Sequence, residues 1–491
     1  MVNELLIESP LEVLSFGAFM ILIADLVLRG KWSSGMFAAF VLIAAQAAQL
    51  YYIESFEPGK IVFSGLLYAD SYAAFISSVI ILGSLLAVLF GLGRLDQEGV
   101  DSPIEYHSLL LMSTAGAIIF ANAAELITLF VGLEIMSMAL YCLCGSALGL
   151  KRSSESALKY FFLGSFSSAF LLYGIALLYG LSGSTEIVNV AAYIANSERS
   201  ALLLLSMGLV LVGLAFKIGA VPFHFWAPDV YEGAPTPVTA YMACVIKAAA
   251  VGAALRVLWL AFGSLVIFWS GFMSLLAGMT MILGNIVALR QRSLKRMLAY
   301  SSIAHAGYLL VAFMVPGDQY SGGAAALYYI VAYMVMTMGA LGVVLAVTSA
   351  HASEARSDDI SHFNGLGHTS PFLGVVMSLF MLSLAGIPPG MAGLLGKFYI
   401  FSAAIRANQP YLTYLTIIGV LSSAISCYYY LRVIVAMYFI ESDGEEKVAP
   451  VGFSMAGALA ICAVLVVVLG VFPSVLYDGV AHVISGTFGP R

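Results

Sequence analysis

Five proton-exchanging side chains lie deep within apolar stretches of this sequence. They are Glu134, Lys217, Lys247, His305 and Lys397. A charged side chain at the centre of a spanning helix costs roughly 2.5–3.5 kcal/mol on insertion scales, so each of these residues needs a partner or a purpose. At about 1.5 Å per residue, Glu134, Lys247 and His305 each lie about 17 Å into their stretch. Five such groups on five helices at similar depth predict a polar line through a helix bundle.

These residue types can transfer protons near neutral pH. Burial lowers the pKa of a lysine and a nearby carboxylate raises it again, so movement of a carboxylate can load or unload a lysine. Glu134 is the natural carboxylate for this task. Histidine can relay a proton through its two ring nitrogens. Ser301 and Ser302 precede His305 by four and three residues and share its helix face, where their hydroxyls are expected to hold water.

Lys217 and Lys397 each lie beside a predicted helix break. The first stretch reads GLAFKIGAVPFHFWAPDVYEG and the second reads SLAGIPPGMAGLLGKFY. Pro222, Pro388 and Pro389 cannot donate to the carbonyl four residues earlier, and neighbouring glycines loosen the backbone further. Freed carbonyls within a bilayer are tolerated only where protein or water satisfies them, so both breaks are expected to line a hydrated cavity. Two interrupted helices in separate halves are also typical of internally repeated transporters.

Structural roles are the alternative for each of these residues. A buried lysine can form an ion pair that only fixes helix packing, and His305 can be a hydrogen-bonded core histidine. His224, two residues after Pro222, is predicted to fill the helix break rather than to conduct protons. Arg432 is expected to extend its charge towards the interface, and the run CYYYLR around it is interpreted as interfacial aromatic packing.

The overall composition requires that much of the surface face lipid. Of 491 residues, 61% are hydrophobic and only 10% are charged, against roughly 25% in soluble domains. Polar side chains are too few to cover a water-soluble globule. The charges fall in short loops rather than in one basic block, so no nucleic-acid partner is indicated. The five cysteines lie in apolar stretches without metal-ligand spacing and are interpreted as core thiols, so no metal site is expected.

We predict an all-α polytopic membrane protein with fourteen spans of about 20 residues. The predicted spans are 11–29, 35–54, 69–93, 106–122, 123–148, 156–182, 199–226, 236–261, 265–290, 294–315, 322–350, 371–406, 411–440 and 451–476. The connections between them are too short to fold alone, so the chain has no room for nucleotide or flavin chemistry.

Lysine and arginine residues in the connections predict the orientation. Twelve of them lie on the side of the odd-numbered loops and five on the other side. The positive-inside rule then puts the odd-numbered loops in the cytoplasm, so both termini are expected outside, in the periplasm of a bacterium. The opening MVNELLIESP has two glutamates and no basic residue, unlike a signal peptide, so the first span is expected to stay in the mature protein.

Three long segments carry a resemblance to a known family. They are FKIGAVPFHFWAPDVYEGAPTPVTAY, LKRMLAYSSIAHAGYLLVA and LSLAGIPPGMAGLLGKFYIF. They resemble, nearly residue for residue, the subunit N family of bacterial respiratory complex I, the counterpart of mitochondrial subunit 2. The segment PDVYEGAPTPV is similar to the N type and differs from the sister L and M types. Lys397 agrees with this, because the M type has a glutamate there.

The resemblance implies an antiporter-like fold with two inverted five-helix repeats, spans four to eight and nine to thirteen, in which helices seven and twelve are broken. Within a single membrane domain, 1–491, it implies a three-helix segment at 1–105, a first repeat at 106–261, a second repeat at 265–440 and a C-terminal helix and tail at 451–491. The doubled proline of the second break departs from many relatives and leaves the shape of that break open.

The resemblance also implies roles for the buried groups. Glu134 and Lys217 match the paired acid and lysine of the first half-channel, and Lys247 matches the linking lysine. His305 then belongs to the central relay and Lys397 is the exit-side lysine. NADH, FMN, iron–sulfur clusters and the quinone site are implied to belong to partner subunits, with no cofactor in this chain.

The resulting hypothesis is a proton-translocating membrane-arm subunit of an NADH:quinone oxidoreductase in the bacterial inner membrane. Expected partners are other complex I subunits, especially the K and M types, with the lipid bilayer around them and the quinone pool reached through the complex. The first alternative is a subunit of a secondary Na⁺/H⁺ antiporter without redox coupling, since antiporters share the implied fold. The second is a scaffold whose buried charges only specify helix packing.

Overall fold

Helices make up nearly all of the part of the chain that the structure describes. The structure is a computed structural model, and it describes residues 9–28, 33–51, 59–315, 322–348, 358–389, 391–441 and 451–488. Residues 1–8 and 489–491, at the two termini that are predicted to be periplasmic, lie outside the described residues.

The N-terminal half contains the first eight predicted spans. Its helices are α1 (Ser9–Leu28), α2 (Ser34–Tyr51), α3 (Ser71–Gly91), α4 (Pro103–Asn122), α5 (Leu126–Cys144), α6 (Lys151–Ser182), α7 (Ile187–Asn196), α8 (Ala201–Ile218), α9 (Trp226–Gly233) and α10 (Thr236–Ala261). Two π-helical turns, Met242–Ile246 and Val257–Ala261, interrupt α10. A two-residue strand β1 (Ile61–Val62) pairs antiparallel with β2 (Leu67–Tyr68), with residue 61 opposite 68 and 62 opposite 67.

The C-terminal half contains the remaining six spans. Its helices are α11 (Val266–Ala288), α12 (Leu294–Phe313), α13 (Gly322–Thr348), α14 (Pro371–Ala385), α15 (Met391–Arg406), α16 (Pro410–Phe439), α17 (Phe453–Val471) and α18 (Ser474–Phe488). Short helical turns occupy Phe63–Gly65, Asp96–Glu98, Gly263–Leu265, Ile360–Phe363 and Leu366–Thr369.

All fourteen predicted spans coincide with a helix or a pair of helices, and eleven helices among the described residues are long and apolar enough to cross a membrane. α10 and α13 are buried along nearly their whole length and form the centre of the bundle. α6 and α16 present large apolar side chains outward, with Phe166 68% exposed and Leu421 62% exposed. Apolar outer faces around a packed centre confirm the polytopic membrane class.

Two helices differ from the prediction. α7 lies in what was predicted to be a connection, and its buried residues Ile187, Val190 and Ile194 follow the three- and four-residue spacing of a surface helix. The C-terminal tail forms α18, which starts directly after Pro473 because proline favours the first turn of a helix. Both helices are too short to cross a bilayer, so a search for spans does not find them.

The first two helices of each predicted repeat approach each other through glycines. A Cβ atom added at Gly116 of α4 or Gly132 of α5 would lie 2.5 Å from the backbone of the opposite helix. In the pair α11 and α12, a Cβ atom at Gly284 or Gly307 would lie 2.7 Å and 2.9 Å from the opposite backbone. Small residues at such crossings allow the backbones to pack closely in a membrane.

The two helix breaks have the same backbone geometry. Gly219 ends α8 with φ +80°, and Gly386 ends α14 with φ +86°. In both breaks the amides of the glycine and of the next residue donate, at 2.9 to 3.1 Å, to carbonyls three to five residues earlier in the chain. A proline follows each glycine by three residues, Pro222 and Pro389, after a cis peptide bond. Pro388, the extra proline, therefore occupies the place of Val221 and leaves this geometry intact.

Candidate functional site

Lys217 is the last lysine before the first break and lies in a pocket between α5, α6 and α8. Its side chain is only 3% exposed. The ammonium Nζ donates to Ser137 Oγ at 2.8 Å, and that hydroxyl donates to the carbonyl of Leu133 at 2.5 Å. The ring of Tyr160 lies 5.2 Å from Nζ, within cation–π distance. A serine hydroxyl and an aromatic face are therefore the immediate surroundings of this charge.

Glu134 is one helical turn from Ser137 on the same face of α5, but it does not bind Lys217 directly. Its carboxylate oxygen Oε1 is buried and has no hydrogen-bond partner among the described residues. The hydroxyl of Ser137 is the group that connects the glutamate's turn of α5 to the lysine. Ser137 thus lies between the predicted acid on α5 and the predicted lysine on α8.

Lys247 follows the first π-helical turn of α10 and binds α12. Its Nζ donates to the carbonyl of Ser302 at 2.6 Å and to the hydroxyl of Ser302 at 2.5 Å. The ring of Tyr333 lies 5.3 Å from Nζ. Ser302, one of the two serines predicted to hold water beside His305, thus binds this lysine.

His305 lies between two tyrosines that come from different helices. Its Nδ1 is 2.5 Å from the hydroxyl of Tyr329 on α13, and its Nε2 is 3.1 Å from the hydroxyl of Tyr430 on α16. The hydroxyl of Tyr430 also bonds to the hydroxyl of Ser301. Both ring nitrogens of this fully enclosed histidine therefore meet groups that can donate or accept a proton.

Lys397 reaches back across the second break. Its Nζ donates to the carbonyls of Leu384 and Ala385, each at 3.0 Å, and to Ser423 Oγ at 2.8 Å. These are the two carbonyls to which Pro389 and its neighbour cannot donate. The ring of Tyr308 lies 5.5 Å from Nζ. In the second break, the freed carbonyls are therefore satisfied by the lysine itself.

The first break is closed by different groups. The indole Nε1 of Trp226 donates to the carbonyl of Phe216 at 3.0 Å, and the amide of Val221 donates to Thr280 Oγ1 at 2.9 Å. His224 lies in this break and is 5% exposed. Its Nδ1 has no partner among the described residues, and its ring packs on Phe225 at 4.6 Å. Protein groups thus satisfy part of the freed backbone here as well.

The three lysines share one environment. Each Nζ donates to a serine hydroxyl that another helix supplies, and each lies over a tyrosine ring, as in Lys217 with Ser137 and Tyr160. The corresponding groups are Ser302 and Tyr333 for Lys247, and Ser423 and Tyr308 for Lys397. Within the described residues, none of the three lysines forms an ion pair.

Three separations interrupt the row of proton-exchanging groups that runs from Lys217 to Lys397. In the part of the chain that the structure describes, no side-chain hydrogen bond joins Lys217 to Lys247 or His305 to Lys397. Lys247 binds Ser302, whereas His305 is linked through Tyr430 to Ser301, and no hydrogen bond among the described residues joins these two adjacent serines. The row therefore consists of four hydrogen-bonded groups, one at each of Lys217, Lys247, His305 and Lys397.

The interpretation of the run CYYYLR as interfacial packing is wrong for two of its three tyrosines. Tyr429 and Tyr430 are fully buried, and Tyr429 OH donates to Asn285 Oδ1 at 3.0 Å, whereas Tyr428 is 63% exposed. Arg432, which was predicted to extend its charge towards the interface, binds the chain at the end of α11. It donates to the carbonyl of Leu289 at 3.0 Å and so satisfies the C-terminal end of α11. Buried polar atoms on a helix that also has a lipid face need such partners.

Several members of the row were not predicted from the sequence, namely Ser137, Ser423, Tyr329 and Tyr430. One of them had a weak signal, since Ser137 is three residues from Glu134 and therefore shares its face. The described residues contain no cluster of three or more His, Cys, Asp or Glu side chains placed to bind a metal ion.

Comparison with known proteins identifies the family. A family model described as NADH:quinone oxidoreductase/Mrp antiporter, TM, matches residues 123–426. The chain is 41% identical over 469 residues to NADH-quinone oxidoreductase subunit N of Trichlorobacter lovleyi, covering 95% of this chain and 94% of that protein. It is 46% identical over 423 residues to NADH-quinone oxidoreductase subunit N 1 of Sorangium cellulosum, covering 83% and 81%.

Solved structures agree with this assignment. A chain of respiratory complex I from Thermus thermophilus with bound aureothin is 32% identical and superposes with a TM-score of 0.77, covering 96% of this chain and 98% of that one. A chain of the Mrp complex from Dietzia sp. is 20% identical with a TM-score of 0.80, covering 98% of each chain, which shows a shared fold alone. The chain therefore belongs to the NADH:quinone oxidoreductase/Mrp antiporter family of membrane proteins.

Proposed function

We propose that this chain is a proton-translocating membrane-arm subunit of an NADH:quinone oxidoreductase. The observation that carries the proposal is the repeated environment of its three buried lysines, each bound to a serine hydroxyl and covered by a tyrosine ring. The relatives that match most of the chain are named subunit N of this enzyme. The enzyme's redox chemistry then takes place in other subunits, and this chain moves protons.

A neutral hydroxyl partner suits a lysine that must gain and lose a proton. A carboxylate in direct contact would hold the ammonium charged, whereas a hydroxyl accepts from the ammonium and can donate to the neutral amine. The tyrosine ring stabilises the charged form without supplying a countercharge. Each lysine is therefore held in place in either protonation state.

The chain itself supplies the contrast with a structural ion pair. Arg256 binds Asp70 through two parallel hydrogen bonds of 2.8 and 2.9 Å, and both side chains are buried. Rings of Tyr68 and Tyr72 cover the guanidinium at 4.2 and 4.8 Å. Such a fixed, bidentate pair is what a packing role requires. The three lysines lack this arrangement, which argues against the scaffold interpretation.

The proposed path follows the order of the groups in the fold. Glu134 and Lys217 form the first site, and a change in their contact releases a proton towards Lys247. The proton passes through Ser302 and Ser301, Tyr430 and His305 to Lys397, which releases it on the other side. Water must bridge three separations, from Lys217 to Lys247, from Ser302 to Ser301 and from His305 to Lys397, because no side chain among the described residues joins the groups there. Quinone reduction in other subunits drives the change at the first site.

The division into two repeats at 106–261 and 265–440 also belongs to this proposal. Two features support it: the breaks beside Gly219 and Gly386 share their backbone geometry, and the first two helices of each segment cross through paired glycines. The segments 1–105 and 451–491 then flank the repeats. An inverted pair of segments of this kind gives two half-channels whose breaks lie at similar depth.

Further parts of the proposal concern the assembly. We assign NADH, FMN, iron–sulfur clusters and quinone to partner subunits, with the K and M types as neighbours in the membrane arm. The chain is a multi-pass protein of the cell inner membrane, and the positive-inside rule supports periplasmic termini. The complex I chain of Thermus thermophilus supports such an assembly.

The test is purification of the tagged chain from its own organism, followed by reconstitution into vesicles. NADH-oxidising and quinone-reducing subunits should co-purify, and NADH with a quinone should drive proton movement. Lys217→Ala should lower that movement sharply while the complex still assembles. Na⁺-dependent exchange by a complex without redox subunits would instead establish the antiporter alternative. Wild-type pumping by Lys217→Ala would overturn the proposed site.

A further inference from the structure

A charged cluster surrounds the half-helix α9, away from the row of lysines. Asp229 of α9 accepts from Lys159 Nζ at 2.7 Å and from Arg296 Nη1 at 2.8 Å. Arg296 also donates to Glu232 of α9 at 2.7 Å. A cavity of about 260 Å³ borders these side chains. Lys159 belongs to α6 and Arg296 to α12, so one carboxylate binds the half-helix to a helix on each side.

The α6 partner of Asp229 is adjacent to the first proton site. Lys159 directly precedes Tyr160, whose ring lies 5.2 Å from Lys217 Nζ. The ring of Tyr160 also stacks on Trp226, the first residue of α9, with centroids 4.8 Å apart and planes 20° apart. The position of α9 against α6 therefore determines how Trp226 supports the Tyr160 ring that covers the lysine.

The same half-helix closes the first break. Trp226 donates to the carbonyl of Phe216, the residue before Lys217, at 3.0 Å. Asp229 is three residues after Trp226 and so lies on nearly the same face of α9. A displacement of α9 would separate the indole from that carbonyl and change the backbone that carries the lysine.

The α12 partner of Asp229 belongs to the helix of the central relay. Arg296 precedes Ser301 by five residues and His305 by nine residues on α12. Contact between Asp229 and Arg296 therefore sets the position of the relay helix relative to α9. Asp229 thus contacts one cation on the helix beside the first site and one cation on the relay helix.

We propose that Asp229 is a positioning residue that holds α9 against α6 and α12 and so keeps the Lys217 site closed and aligned with the relay. This inference rests on the proposed function. Asp229 touches no relay atom, so its effect is indirect. Its side chain is 33% exposed, and isolated exposed pairs contribute little, but here one carboxylate bridges cations from two separate helices.

The chain contains a matched control for the cluster. Glu155 binds the same ammonium of Lys159 at 2.7 Å, but it lies on α6 itself, four residues earlier, and is 63% exposed. Its loss removes a carboxylate from Lys159 without removing a contact between helices. Glu155→Gln should therefore leave pumping unchanged.

The experiment compares variants in the reconstituted complex by proton movement per amount of assembled complex. Asp229→Asn should lower the rate about tenfold, because displacing catalytic groups by about 1 Å can cost on the order of 100-fold. Asp229→Glu, which keeps the carboxylate, should recover to within about twofold of wild type, a rescue that a general loss of stability would not show. Wild-type pumping by Asp229→Asn, or no rescue by Asp229→Glu, would overturn the inference.

A second variant keeps the test decisive if Asp229→Asn prevents assembly. Lys159→Gln removes only the contact to α6 and should lower pumping, while Glu155→Gln does not. Unchanged pumping by assembled Lys159→Gln overturns the inference. Lys217→Ala separates the proposed function from the positioning role of Asp229. If Lys217→Ala pumps normally, the proposed function fails. If Lys217→Ala loses pumping while the Asp229 and Lys159 variants pump normally, only the positioning role is overturned.

Discussion

Lys397 donates to the carbonyl oxygen of Ala385 at 3.0 Å, so a side chain of α15 closes the open end of α14. The lysine thereby joins the two halves of a broken helix and at the same time presents an exchangeable proton beside Ser423. A change in its protonation removes a charge from the negative end of the helix dipole of α14. Proton transfer and the geometry of the second break are therefore coupled at one residue.

Replacement of Lys397 by methionine should stop proton movement through the second half of the chain. The variant keeps an unbranched side chain but leaves two carbonyls without a donor, at about 1–3 kcal/mol each. We expect pumping by the reconstituted complex to fall at least tenfold. Arg406→Gln, at the exposed end of the same helix, is the control and should pump normally. Equal pumping by both variants would contradict the role of Lys397.

Ser137→Ala should weaken the first proton site without removing its charge. Lys217 would lose the hydroxyl that lies 2.8 Å from Nζ, and a water molecule can replace it only in part. We expect about a tenfold lower pumping rate, less than the loss in Lys217→Ala. Ser154→Ala, on the exposed face of α6, should have no effect. The prediction is wrong if the two serine variants pump alike.

Tyr430→Phe should interrupt the central relay while preserving its packing. The hydroxyl of Tyr430 bonds to Ser301 and to His305 Nε2, and the phenylalanine ring fills the same volume. Pumping should fall about tenfold, since a positioned proton donor contributes roughly 100-fold or more at a transfer step. The matched change Tyr428→Phe, at a side chain that is 63% exposed, should be silent. Equal pumping rates in Tyr430→Phe and Tyr428→Phe would mean that the relay bypasses Tyr430.

Asp70→Asn should affect stability rather than pumping. The change leaves Arg256 as an uncompensated buried charge, which typically costs about 3–5 kcal/mol. We expect less assembled complex and a lower thermal unfolding midpoint, with a normal pumping rate for each complex that does assemble. Lys247→Gln is the useful comparison and should show the opposite pattern. Loss of pumping by intact Asp70→Asn complexes would mean that this pair belongs to the proton path.

Local chemistry made several features predictable from the sequence. The membrane class and the fourteen spans follow from composition and from the length of the apolar stretches, because the bilayer imposes both. The two breaks follow from prolines that cannot donate to the preceding turn. The depth of Glu134, Lys247 and His305 follows from the fixed rise of a helix.

The tertiary structure alone decided which groups meet. The pairing of Lys217 with Ser137, and of Lys397 with Ser423, joins different helices and depends on their rotation and relative depth, which no local pattern records. The same holds for Tyr430, whose sequence run is compatible with an exposed or a buried face. Residue types and depths are properties of single helices, whereas a proton path is a property of the contacts between them.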